Sequence, residues 1–152
     1  PVDIAGVVET PHLTVSAGSG TEDAALPISI VAVIDDVDGS ETLTIIVDGL
    51  PAGAILSAGT QNADGSWTLA PGDLAGLVML PPSHWSGTAN LTISAVAEEG
   101  GHSASIQSTL PISIVGVATA PSLSLGAAAG NEGNAIALSI QAALVDNDGS
   151  ER

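Results

Sequence analysis

The chain overlaps itself. Shifted by about 110 positions, the first forty or so residues of this 152-residue sequence fall on its last forty. Pro1-Val2-Asp3-Ile4-Ala5-Gly6-Val7 meets Pro111-Ile112-Ser113-Ile114-Val115-Gly116-Val117, and Ile28-Ser29-Ile30 meets Leu138-Ser139-Ile140. Roughly two in five of the overlapped positions are identical without a gap, which chance does not produce. A unit that recurs at this spacing has the size of an ordinary domain. The sequence therefore implies a tandem array cut to about one and a third copies. Residues 1–9 are expected to be the last strand of a preceding repeat. Residues 10–119 are one complete repeat, and residues 120–152 are the first two strands of the next.

Within that frame the apolar residues recur with a period of two. Leu26, Ile28, Ile30, Ala32 and Ile34 alternate with Pro27, Ser29, Val31 and Val33, as a half-buried strand requires. The second copy repeats the pattern with Ile136, Leu138, Ile140, Ala142 and Leu144. Further strands are predicted around Leu43–Val47, Ile55–Ser57, Ser66–Leu69, Leu77–Leu80, Leu91–Ala95 and Ile106–Ile114. Asp64-Gly65 ahead of Ser66 is a hairpin turn signal, and Pro71–Gly76 has room for one helical turn at most. Seven or eight short strands with Gly and Pro turns predict an all-β fold. Specifically, they predict an immunoglobulin-like antiparallel β-sandwich in tandem repeats of about 110 residues.

One loop stands out because it also comes twice. Asp35-Asp36-Val37-Asp38-Gly39-Ser40-Glu41 returns as Val145-Asp146-Asn147-Asp148-Gly149-Ser150-Glu151. Carboxylates two residues apart in a tight turn repel each other unless a cation joins them. The protein has one Lys or Arg against seventeen Asp and Glu, a formal charge of −16, and that one base is Arg152. The cation must come from solution, and a hard oxygen-seeking ion, Ca2+, fits best. An EF-hand is excluded by counting, since Gly39 as sixth position would put Ile34 first and Ile45 twelfth.

Sandwich topology places these acids. The Asp35–Glu41 loop and the Glu98–His102 loop belong at the N-terminal pole, with Glu9 in the linker beside them. Glu22 and Asp23 belong at the opposite pole, next to the exit toward the following repeat. Stacked repeats would bring Glu22 and Asp23 against Asp146, Asp148 and Glu151. The expected metal ligands are thus Glu22, Asp23, Asp36, Asp38 and Glu41, with Glu132, Asp146, Asp148 and Glu151 from the next copy. The expected partners are neighbouring repeats of the same chain, joined through calcium-bridged junctions.

A longer string of motifs carries a family resemblance. It consists of Glu22, Asp36-Val37-Asp38-Gly39-Ser40-Glu41, Gly49-Leu50-Pro51-Ala52-Gly53-Ala54 and Leu56-Ser57-Ala58-Gly59-Thr60. It continues with Asp64-Gly65-Ser66-Trp67-Thr68-Leu69, Asp73-Leu74-Ala75-Gly76-Leu77 and Pro81-Pro82 through Trp85-Ser86-Gly87. Together they resemble the tandem, cadherin-like extender repeats of large RTX-type bacterial adhesins. The resemblance implies a type I-secreted, cell-surface protein stiffened by calcium at its linkers, acting in adhesion and biofilm formation. Host or biofilm surfaces would be met through other domains. Family linkers often carry Asn-Asp before Ala-Pro. Here Ala118-Thr119-Ala120-Pro121 lacks that acid.

Other functions find little support. A chain this acidic has no basic patch for nucleic acid or anionic lipid, and no apolar run long enough for membrane insertion. There is no Cys, no nucleophile elbow and no phosphate-cradling loop, so an enzyme is not expected. His12, His84 and His102 lie far apart and read as incidental. The competing reading is a carbohydrate- or surface-binding sandwich module of an adhesin or secreted enzyme, using Trp67 and Trp85. Near absence of other aromatics argues for the spacer instead. Asn90-Leu91-Thr92 fits a glycosylation sequon inside an expected strand.

Overall fold

Alternation decides where each strand puts its bulk. The computed structural model describes residues 7–35 and 39–146. Thirteen strands and one short 3-10 turn (Pro71–Leu74) fall among them, and the chain is all-β. In order these are β1 (His12–Ser16), β2 (Gly18–Thr21), β3 (Leu26–Pro27), β4 (Ser29–Val33), β5 (Thr42–Asp48) and β6 (Ile55–Leu56). There follow β7 (Thr60–Gln61), β8 (Trp67–Leu69), β9 (Val78–Leu80), β10 (Gly87–Glu99), β11 (His102–Val115), β12 (Ser122–Leu125) and β13 (Ile140–Ala143).

Six strands form the larger sheet, in the order β2-β11-β10-β5-β8-β7. The long β10–β11 hairpin is its spine, paired from Gly87–Ile114 to Glu99–His102. Opposite it, β1 pairs with β4, while β3-β9-β6 make a three-stranded ladder. Ile28 lies between β3 and β4 and gives its N–H to the Leu77 carbonyl at 2.9 Å, so the two small ladders share one continuous line of chain. The buried cluster draws on both sides. Ile28, Ile30 and Ala32 come from one, Leu56 and Met79 from its neighbours, and Ile45, Val47, Leu91, Ile93, Leu110 and Ile112 from the larger sheet.

Sequence alternation placed most of these correctly, with instructive exceptions. Ile106, in the closing strand, is 36% exposed, and Ile55 is 48% exposed. The stretch ahead of Glu22 forms two strands. β1 runs antiparallel to β4, and after Ala17 the chain crosses over so that β2 runs parallel to β11. Small residues permit the crossing. A Cβ on Gly20 would sit 3.2 Å from a Leu26 methyl, so a larger residue on the inward side of β2 would require Leu26 to shift. Residues 120–146 differ from the rest. β12 and β13 pair only with each other, and every residue of both strands is exposed.

Two turns show how local chemistry sets the frame. Gly59 has φ +86°, and a Cβ there would lie 2.7 Å from the Thr68 carbonyl oxygen. Both left-handed strain and a clash with fixed backbone follow from adding a methyl. Gly59→Ala is expected to cost about 1–3 kcal/mol in urea unfolding. The β7–β8 hairpin closes through Asn62 N–H to the Ser66 carbonyl at 2.8 Å. There the Ser66 hydroxyl and N–H both donate to Asp64 Oδ1, at 2.7 and 3.0 Å.

Those two bonds, the hydroxyl first, hold the Asp64 carboxyl below the usual carboxylate range. A depressed carboxyl stabilises the fold at pH values above its unfolded pKa. That contribution disappears as pH falls through the lower, folded value. Ser66→Ala is expected to move Asp64 up toward the ordinary range and to weaken this acid-limb dependence. An NMR titration of the Asp64 side-chain carboxyl would read it, and an unchanged midpoint would refute it.

Candidate functional site

The strand directions put two acidic poles at opposite ends of β10, a strand of 13 residues that spans roughly 40 Å. At the N-terminal pole Glu41 is 8% exposed, directly before β5. Its Oε1 accepts the Glu9 backbone N–H at 3.0 Å. Ser40 Oγ donates to Glu99 Oε1 at 2.8 Å, and Thr42 Oγ1 to the Glu98 carbonyl at 3.3 Å, which ties the acid loop to the β10–β11 turn. Ser40, Glu98, Glu99, Gly100, Gly101, His102 and Ser103 line an open depression of about 270 Å³ here. On the flank, exposed His12 Nε2 lies 2.9 Å from Asp35 Oδ2.

The opposite pole repeats this design. Glu22 is 5% exposed, following β2. Its N–H bonds the Val115 carbonyl at 3.0 Å, and its Oε1 accepts the Val117 N–H. Each pole therefore carries one buried glutamate that grips the amide of a chain segment entering or leaving the sheets. In each case the second oxygen, Oε2, is buried and has no hydrogen-bond partner among the described residues. Glu99 Oε2 is in the same condition at the N-terminal pole.

An ionised carboxylate out of water is costly unless paired. Among the described residues neither glutamate has a Lys or Arg to pair with, because the single base of the chain is Arg152. An orphaned carboxylate oxygen is the kind of atom a bound cation would satisfy. In that respect the described residues fit a hard divalent ion. The full expected ligand set is not assembled among them. Of the expected ligands, Asp36, Asp38, Asp148 and Glu151 lie outside the described residues. Among those described, no three His, Asp or Glu side chains are grouped so as to hold a metal. Glu132 is exposed in a turn between β12 and β13, where Asn134 N–H bonds the Asn131 carbonyl at 3.3 Å.

Two residues acquire a role that spacing did not reveal. Asp23 and His84 are the two non-glycine residues with positive φ among those described, both at 57°. They meet each other. The His84 N–H donates to Asp23 Oδ1 at 2.9 Å, and His84 Nδ1 lies 3.2 Å from Asp23 Oδ2. Asp146 Oδ2 lies 3.9 Å from the same imidazole nitrogen. His84, which reads as incidental in the sequence, thus stands at the centre of the acidic pole. No sequence signal marks it, since the left-handed backbone that aims it is a product of the fold. The tryptophans are accounted for by packing: Trp67 is 8% exposed within the core, and Trp85 packs against it.

Among the described residues no helix is long and apolar enough to cross a membrane. Compared with protein-family models, with curated proteins and with solved structures, the chain matches none of them. What the fold itself defines is an all-β protein with acid-rich poles.

Proposed function

We propose that the chain is a calcium-stabilised structural extender of a large secreted, cell-surface bacterial adhesin. On this reading residues 10–119 form an immunoglobulin-like β-sandwich, one unit of a tandem array. One observation carries it. Glu22 and Glu41 are buried at opposite poles, each holds a linker amide with one oxygen, and each leaves the other oxygen buried without a partner. Carboxylates in that position destabilise an isolated module and become useful when an ion joins neighbouring modules. Further support comes from the chain's crossing between sheets at Ala17, a feature suited to sandwiches whose first strand spans both layers. Spacer function also suits a surface whose two tryptophans are turned inward.

The ion's contribution follows from linkage. Extracellular modules hold Ca2+ at about 10⁻⁴–10⁻³ M, so millimolar calcium is a biologically sensible switch between soft and stiff arrays. Thermal melting with and without Ca2+ tests the reading most directly, with scattering to follow overall extension. Identical melting and identical scattering in chelator and in calcium would reduce the protein to an acidic spacer.

A further inference from the structure

Among the described residues of 120–146 the buried one is a carboxylate, not a hydrophobic side chain. Pro121 through Val145 are all exposed, including Leu123 at 66%, Leu138 at 71% and Ile140 at 62%. Asp146 alone among the described residues of 120–146 is buried, at 1% exposed, and it comes within 3.9 Å of His84 Nδ1. His84 is itself fixed from behind by Asp23, through a backbone and a side-chain contact. Both residues of that pair hold a left-handed backbone, uncommon for any residue with a side chain although Asp and His tolerate it better than most.

We propose that the Asp23–His84 pair is a docking latch for the acidic loop of the following repeat. It sets the angle between repeats by an electrostatic approach of Asp146 Oδ2 to His84 Nδ1, 3.9 Å apart and beyond hydrogen-bond reach, which works without a bound ion. The imidazole is the partner that makes this possible. Every other titratable neighbour on the described part of this pole is a carboxylate, and acid against acid would push the two segments apart. His84 supplies an N-bearing ring between them, and Asp23 holds the ring in the one direction where Asp146 is reached. The partner is therefore of defined chemistry: a buried aspartate at the head of a repeat, in the loop that also carries Asp148 and Glu151. This inference rests on the extender reading only for taking residues 120–146 as the start of a next repeat.

The test uses the full 152-residue chain and backbone ¹⁵N relaxation. His84→Asn keeps a residue tolerant of the left-handed backbone and removes the ring. In chelator, the amides of β12 and β13 in the parent protein are expected to tumble with the body, with order parameters near ~0.85. In His84→Asn they are expected to fall below ~0.6, while the body's amides and melting temperature stay put. Asp23→Asn, which keeps an acceptor for the His84 N–H, is expected to loosen the same strands and guards against a folding defect in the first variant. His102→Asn, at the other pole, is expected to change nothing. Unchanged relaxation of β12 and β13 in both pole variants overturns the latch.

Repeating the measurement in about 10 mM Ca2+ separates the two readings. Strands that are loose in chelator and stiff in calcium whether or not His84 is present would overturn the latch and uphold the calcium joint. Strands that loosen in His84→Asn and ignore calcium would uphold the latch and overturn the calcium joint. Loosening by His84→Asn in chelator, with partial recovery in calcium, supports both.

Discussion

In chelator the Glu22→Gln/Glu41→Gln double variant is expected to melt at a higher temperature than the parent chain, and in about 10 mM Ca2+ at a lower one. The reversal follows from the two oxygens of each glutamate. Oε1 accepts a linker amide, from Val117 or Glu9, and glutamine keeps an oxygen for that bond. Oε2 is buried without a partner, and there glutamine replaces a charge by a neutral group. An unsatisfied buried polar group costs about 1–3 kcal/mol, and a charged one more, so neutralising two of them is favourable when no ion is present.

Calcium changes the sign. An ion at about a hundred times its dissociation constant stabilises the native state by about 2.7 kcal/mol, and that gain needs the carboxylates. The measurement is a pair of calorimetric scans of each protein. The same ranking in both solutions would remove the ion from the account. A parent chain that ranks lower in both would mean that the glutamates are only buried charges.

The second large effect concerns the core. Ile93 lies at the middle of β10 with no exposed surface, opposite Val47 on one side and Ser108 on the other. Ile93→Ala removes three carbons where the surrounding strands are held by their ladders and relax only partly. The expected loss is about 2–5 kcal/mol. Leu138→Ala makes the same kind of cut in a residue that is 71% exposed in the closing segment, and should change stability by less than about 0.5 kcal/mol. Urea denaturation distinguishes them. Comparable losses would show that residues 120–146 are packed in solution, and would remove the contrast between body and following segment on which the latch is argued.

The contrast between these two residues shows how far pattern reading reaches. Ile93 and Leu138 both sit in alternating stretches, but the alternation gives the buried side of a strand only for Ile93, since Leu138 lies ahead of β13 and is exposed. Ile93 is covered because β10 has neighbours on both edges and an opposing layer. Leu138 has no such cover among the described residues. Ile106 makes the same point inside the body. It shares the parity of Leu110 and Ile112, with Ser108 breaking the run between them, and it is 36% exposed.

The acids divide in a similar way. Sequence turns placed Glu41 and Glu99 at one pole and Glu22 and Asp23 at the other, and the described contacts put them there. Which of them lose contact with water was not legible. Glu22 and Glu41 are buried while Asp23 stays exposed, although Glu22 and Asp23 are adjacent and chemically alike. His84 was passed over because its value depends on a backbone angle and on Asp23, 61 residues away.

Composition and order by themselves determined that this chain is all-β and that it offers one Lys or Arg against seventeen Asp and Glu. Those follow from short-range rules, since alternation, Asp-Gly and Pro-Gly chemistry and the count of bases do not depend on distant contacts. The tertiary structure alone decided that Glu22 and Glu41 are gripping, half-orphaned carboxylates and that His84 faces Asp146. Burial and reach are properties of which remote segments cover a turn. For Glu22 that cover includes Val117, 95 positions further along the chain.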